Sequence, residues 1–265
     1  MSTQISGHEL TAEETARFET DGFLVREGVF TSEEVDETCQ VIEEVLDRLV
    51  KTKSGAPVVG VSEYYAFEND KVNQLVLKWE PKYKDVLQGV EPFAHLHPAL
   101  QKQTADPRLT SPSANMLGLP EVAVFTEKLN AKRAHTGGAF AMHADRPYWV
   151  GVAQDPDAKL TALLALDAAD KENGCLEVIP GSHLWESLPF KQSDKPFETA
   201  ELDESKIDLT KLVSVEVPKG SVIFFGSKLV HRSGPNNSDR DRRAILYTYQ
   251  PVGHQSAFDF FKDKL

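Results

Sequence analysis

From Val122 onward the hydrophobicity of the chain changes period, and that change limits the fold more than any other feature of the sequence. Apolar and polar residues alternate singly, as on a pleated strand with one face turned to a core. Val122, Val124, Thr126 and Lys128 are expected to share one strand face, and Ala123, Phe125, Glu127 and Leu129 the other. Further strands are predicted at Phe140 to Asp145, Tyr148 to Ala153, Leu160 to Leu166, Cys175 to Ile179, Leu212 to Val217, Val222 to Phe225 and Ala244 to Tyr249. Asp155-Pro156-Asp157, Glu172-Asn173-Gly174, Pro180-Gly181-Ser182 and Pro218-Lys219-Gly220 supply the turns between them. About eight short strands punctuated in this way predict a sandwich or barrel rather than alternating strands and helices.

The N-terminal part reads as helical. Thr11 with Glu14 forms a capping-box pattern, and Asp21-Gly22 ends the short helix it opens. Phe23 to Val25 and Val29-Phe30 read as a short strand turning at Gly28. Thr31 or Ser32 then caps a longer helix carrying Val35, Val41, Ile42, Val45, Leu46 and Leu49 at helical spacing. Lys51 to Gly60 has loop composition, and Tyr64, Tyr65, Phe67 and Trp79 follow in a stretch of mixed character. A helix is expected around Phe93 to Gln103, with Pro107 and Pro112 breaking the chain before the β-rich part. Leu184 to Leu209 is a polar insertion of a length that often serves as a lid or binding loop. The predicted organisation is one domain over residues 1–265, with a helical N-terminal support over about 1–115 and a β-barrel core over about 120–252.

With 29 Lys+Arg against 41 Asp+Glu, the net charge of -12 argues against a nucleic-acid-tracking surface and against attraction to anionic lipid. It leaves room for a local basic pocket that takes an anionic small molecule. The N-terminus has no basic flank leading into an apolar core, and no run approaches the roughly 18 apolar residues of a spanning helix. A soluble, cytoplasmic protein is therefore expected, with no obligate protein partner evident. Cys39 and Cys175 lack metal or disulfide spacing and read as buried free thiols.

Met142-His143-Ala144-Asp145 carries the first sign of chemistry. On a strand His143 and Asp145 project from one face, an imidazole beside a carboxylate. His231 follows the apolar run Val222 to Gly226, which places it to face inward. Two histidines and one carboxylate form the face that holds non-haem Fe(II) and leaves positions open for other ligands. For any one of the eight histidines a hydrogen-bonded core role is the ordinary reading. Arg242 opens a strand on the face of Ala244, Leu246 and Thr248, opposite Arg243, Ile245, Tyr247 and Tyr249. An arginine directed into an apolar interior needs an anionic partner, either a bound carboxylate or a structural ion pair.

These residues together resemble the phytanoyl-CoA dioxygenase family. The resemblance is carried by Asn173 to His183 (NGCLEVIPGSH), with His143-Ala144-Asp145 before it, His231 to Asn236 after it, and Asp21-Gly22-Phe23 near the start. It extends over nearly the whole chain except about Lys51 to Ser113 and the insertion after His183. The resemblance implies a mainly β fold with flanking helices, the double-stranded β-helix or cupin-like jelly roll. It further implies Fe(II) and 2-oxoglutarate as cofactors, with ascorbate as an auxiliary reductant. His143, Asp145 and His231 would be the iron ligands, and Arg242 would grip the distal carboxylate of 2-oxoglutarate. Where other branches have a serine two residues past that arginine this chain has Ala244, so Thr161 and Thr248 are candidates to share the carboxylate. Arg146, Tyr148, Trp149, Tyr65 and Trp79 are candidate substrate contacts, and His183 is expected to be structural. The implied reaction is hydroxylation of an unactivated C–H bond of a small metabolite or natural-product intermediate, using O2 and releasing succinate and CO2. The alternatives are an acyl-CoA 2-hydroxylase of the same family, or a metal-binding β-barrel without 2-oxoglutarate, which an inward Arg242 disfavours. Asp145 argues against a halogenase, whose iron needs that position vacant.

Overall fold

A computed structural model describes residues 7–52, 60–61, 66–192 and 200–261. Its helices begin where side chains can satisfy their free amides. Helix α1 (Ala12–Asp21) and helix α2 (Ser32–Lys51) both open with complete capping boxes, Thr11 with Glu14 and Thr31 with Glu34. Strand β1 (Phe23–Arg26) lies between them. Helix α2 buries Val35, Cys39, Ile42, Val45, Leu46 and Leu49 along one stripe.

The mixed stretch that follows is sheet. Strands β2 (Gly60–Val61), β3 (Ala66–Asp70), β4 (Leu75–Trp79) and β5 (Leu87–Glu91) form an antiparallel meander. The N-terminal support is thus only partly helical, because four of its strands extend the main sheet and β1 closes the opposite edge. Helices α3 (Pro98–Gln103) and α4 (Pro107–Leu117) then pack against that sheet. Pro107 starts α4 instead of breaking the chain, since Asp106 caps the helix and proline at its first position loses no intrahelical bond. Pro112 is carried inside the same helix.

Strands β6 (Val122–Lys132), β7 (Phe140–His143), β8 (Leu160–Ala165), β9 (Leu176–Val178), β10 (Val213–Val215), β11 (Val222–Gly226) and β13 (Arg242–Pro251) follow the predicted positions, and β12 (His231–Ser233) is a strand beyond those predicted. The exception is Tyr148 to Ala153. There the chain forms helix α5 (Arg146–Trp149), because Pro147 in its first turn favours a helical start and cannot donate to a ladder. A last helix, α6 (Ala257–Phe261), follows β13.

The strands make two antiparallel sheets. The larger has nine strands in the order β1-β11-β8-β13-β6-β5-β4-β3-β2, and the smaller has four, β10-β9-β12-β7. Alternation on β13 sends Ile245, Tyr247 and Tyr249 into the core under α2 to α4, and Ala244 and Leu246 toward the small sheet. A register shift opposite Thr248/Tyr249 interrupts the same alternation on β6. Val122 and Val124 therefore pack on the helical side, whereas Thr126 and Lys128 face the space between the sheets, so the four do not share a face. Among the described residues no helix is long and apolar enough to cross a membrane. Both cysteines are buried and free.

Gly174 shows how tightly β9 and β12 of the small sheet are tied. Its φ is +78°, and a Cβ there would collide with the backbone oxygens of Gly234 and Pro235, just beyond β12. Gly174→Ala is expected to cost about 1–3 kcal/mol of stability. A lowered urea midpoint with unchanged slope would record it, and wild-type stability would contradict the packing described.

Candidate metal centre and its cavity

A cavity of about 600 Å³ opens between the sheets. The large sheet directs Lys78 of β4, Glu91 of β5, Thr126 and Lys128 of β6 and Arg242 of β13 into it. The small sheet contributes His143 of β7 and both His231 and Ser233 of β12. Phe67, Val76, Phe140, Trp149 and Phe258 make its apolar walls.

His143 and His231 face each other in register across β7 and β12, with ring centroids 4.2 Å apart. Asp145 lies just past the end of β7, in αR conformation as the residue that opens α5, and its Oδ1 is 3.7 Å from His143 Nε2. The strand ends sooner than predicted, yet the turn still delivers the carboxylate. One donor atom from each of the three residues can be chosen so that all lie within 4.8 Å of one another.

Local hydrogen bonds orient both imidazoles. His143 Nδ1 is 2.7 Å from the Ala141 carbonyl and His231 Nδ1 is 3.0 Å from the Leu229 carbonyl. A carbonyl can only accept, so each Nδ1 carries the proton and each Nε2 keeps its lone pair. Burial, reinforced by the neighbouring His143, pulls His231 down to about 4, so it is neutral at physiological pH. Burial opposes ionisation of Asp145, but the His143 imidazole 3.7 Å away and the Lys128 ammonium outweigh it and hold its carboxyl below the usual carboxylate range. Two imidazoles with Nε2 free to coordinate, beside an ionised carboxylate, form a donor set suited to a divalent first-row metal with open positions.

Arg242 is buried, and its Nε has no hydrogen-bond partner. Among the described residues no carboxylate forms an ion pair with it. Its neighbour Arg243 is the structural pair, bonded to Asp167 and Glu43 on the other side of the sheet. A buried guanidinium without an anion is costly, so Arg242 is placed to receive a bound carboxylate. The one hydroxyl of the small sheet that lines the cavity, among the described residues, lies outside the predicted set. Ser233, two residues past His231 on the same strand, lines the cavity, while Thr161 and Thr248 are paired across β8 and β13 and hydrogen-bond each other at 3.0 Å. Neither threonine is among the described residues lining the cavity.

The predicted substrate contacts divide. Trp149 and Tyr148 line the cavity, Trp149 packed edge-on against Phe125 and Tyr148 edge-on to His143. Arg146 instead pairs with Asp157 at 2.7 Å on the surface. Trp79 is turned into the core, donating to Glu68 from its indole N–H at 3.0 Å. Tyr65 lies outside the described residues. His183 is structural, its Nε2 3.2 Å from the Glu19 carbonyl and its ring against Gly22.

The sequence profile for phytanoyl-CoA dioxygenase (PhyH) matches residues 18–244. The chain belongs to the phytanoyl-CoA dioxygenase family. It is an enzyme of the 2-oxoglutarate-dependent non-haem iron class, and the donor set and unpaired guanidinium fit iron and 2-oxoglutarate. Among relatives, the phytanoyl-CoA dioxygenase domain-containing protein 1 homolog of Caenorhabditis elegans is 26% identical over 253 residues, covering 86% of each chain. The 2-aminoethylphosphonate dioxygenase of the uncultured bacterium HF130_AEPn_1 is 30% identical over 177 residues, covering 66% of this chain and 63% of its own. The fold is similar to that of EctD from S. alaskensis with bound Fe, at a TM-score of 0.69 and 22% identity over 96% of this chain and 83% of that one.

Burial of neutral His231 makes the site acid-sensitive. Between the ordinary histidine value of 6.5 and about 4 the unfolded chain binds a proton that the folded site refuses. Stability of the metal-free protein should therefore be full above that window and fall by up to about 3 kcal/mol as pH drops through it. Urea midpoints of wild type and His231→Gln at about pH 7.5 and about pH 5 test this. The variant should lose distinctly less than wild type, and an equal loss would contradict the assignment.

Proposed function

We propose that this chain oxidises, most simply by hydroxylation, an unactivated C–H bond of a small metabolite or natural-product intermediate, with release of succinate and CO2. One observation carries the reading: a two-histidine, one-carboxylate face and a buried guanidinium with no carboxylate partner among the described residues open into the same cavity. His143, Asp145 and His231 would hold the iron. Arg242 would hold the distal carboxylate of 2-oxoglutarate through paired N–H donors, with the Ser233 hydroxyl as a further donor. Iron bound there with 2-oxoglutarate and dioxygen supplies the oxidation, coupling decarboxylation of the keto acid to attack on a substrate carbon.

The chain's own part is placement. The Nδ1–H bonds to Ala141 and Leu229 hold the imidazoles in one tautomer, so no proton has to leave before metal binds. Phe140, Trp149 and Phe258 keep the reacting carbon in an apolar, water-poor space. Asp145 fills the position a halogenase leaves vacant, which favours oxygen transfer over halide transfer. The unpaired Arg242 favours a 2-oxoglutarate enzyme over a metal protein that binds none.

Adding Fe(II) to the metal-free protein with 2-oxoglutarate and O2 should start succinate release, and a protein that never forms succinate with any substrate overturns the reading. Asp145→Ala should lower succinate formation by at least about 100-fold while keeping the wild-type circular dichroism. Arg242→Met should instead raise the KM for 2-oxoglutarate by about 10- to 100-fold, the loss expected of charge-assisted hydrogen bonds to a carboxylate. Equal KM values in wild type and variant would place the co-substrate elsewhere.

A further inference from the structure

The cavity contains a second charged group that the metal and co-substrate do not use. Lys78 and Lys128 reach in from neighbouring parts of the large sheet and converge on a single oxygen, Glu91 Oε2, at 3.2 and 3.7 Å. The other oxygen of Glu91 accepts the Thr126 hydroxyl at 2.9 Å. Each ammonium has three N–H donors, yet among the described residues Glu91 is the only carboxylate paired with either, Lys78 lying also 5.8 Å from the Phe67 ring centroid. Both lysines keep part of their surface open to the cavity, 15% and 23%.

The charges on the cavity wall decide what is missing. Among the described lining residues the cations are Lys78, Lys128, Arg232 and Arg242, and the carboxylates are Glu91 and Asp145. Arg232 is paired with two carboxylates, Glu177 and Glu204, neither of them among the described lining residues, and is left out of the count. Fe(II) held by Asp145 and bound to 2-oxoglutarate would carry one net negative charge, which the Arg242 guanidinium balances, so the lysine pair and Glu91 remain. Two ammonium groups against one carboxylate leave one positive charge facing the cavity. An uncompensated charge in an enclosed, partly apolar space is costly, so an arriving anion would be stabilised there.

We infer that the substrate is a small organic acid whose carboxylate or phosphonate docks on Lys78 and Lys128, leaving its apolar part among Phe67, Val76 and Phe258 for presentation to the iron. The inference rests on the oxygenase reading, because Asp145 and Arg242 must be committed to iron and 2-oxoglutarate for the surplus to fall on the lysines. Glu91 discriminates in the same direction. It is already shared by two cations, so it is poorly placed to recruit the amine of a cationic substrate and serves to hold both lysines in position. An acyl-CoA is disfavoured, since its charge lies far from the carbon that would have to reach the iron.

Calorimetric titration of the Mn(II)- and 2-oxoglutarate-loaded protein with methylphosphonate tests this, with the neutral dimethyl ester as control. The anion should bind once per chain and the ester should not. Lys128→Met and Lys78→Met should each weaken methylphosphonate binding by about tenfold or more, whereas Glu91→Gln, which raises the surplus charge, should strengthen it. Affinity for 2-oxoglutarate, measured first in every variant, separates the two readings and reports that each variant is folded. Failure of 2-oxoglutarate to bind the wild type overturns the oxygenase reading. Normal 2-oxoglutarate binding with no methylphosphonate binding, or with binding equal to the ester's or unchanged in both lysine variants, overturns only the substrate inference. Loss of 2-oxoglutarate affinity in the lysine variants also overturns it, by giving the lysines to the co-substrate.

Discussion

The pairing of β7 with β12, which sets His143 directly opposite His231, is the constraint on which the site depends. Side chains on a strand alternate with a period of two, so a slip of one residue would turn either imidazole out of the cavity. The register is held from several sides. β12 is also paired with β9, Gly174 packs under the Gly234-Pro235 backbone, and the two Nδ1–H bonds fix the rings themselves. Asp145 can then be supplied by a turn, because only its carboxylate and not its backbone has to follow a strand. The metal face is therefore preorganised by backbone hydrogen bonding, and binding a cation need not reorder it.

The opposite wall works by a different principle. The nine-stranded sheet brings charges into an enclosed space and leaves them incompletely matched, with Arg242 unpaired and two lysines sharing Glu91. Unmatched buried charge lowers stability, and its retention beside a metal face is what a binding site requires. On the proposed reading the two sheets divide the work: the small sheet would fix where oxidation occurs, and the large sheet what lies next to it.

Much of this was legible in the sequence for identifiable reasons. Capping boxes and period-two strands are local signals, so both long helical segments and most strands of the second half could be read directly. His143 and Asp145 are legible from strand alternation and His231 from the apolar run before it, whereas their assembly with Arg242 into one site is what the family resemblance implies. Strands β3 to β5 were not legible because their cavity-facing positions, Asn69, Lys78 and Glu91 among them, interrupt the expected hydrophobic alternation. Those residues break the pattern because they line a site. Helix α5 was misread because Tyr148 and Val150 favour strands while Pro147 decides the backbone. Ser233 lines the cavity two residues past His231, whereas the expected hydroxyls Thr161 and Thr248 bond each other across β8 and β13. A relation of that kind depends on sheet topology, which no local pattern contains.

The most direct test of the account is an anaerobic crystal structure with Fe(II) and 2-oxoglutarate. The account predicts iron bound by His143, Asp145 and His231, and the distal carboxylate of 2-oxoglutarate bonded to the Arg242 guanidinium. Iron on any other set of side chains, or a co-substrate that leaves Arg242 unpaired, would contradict it.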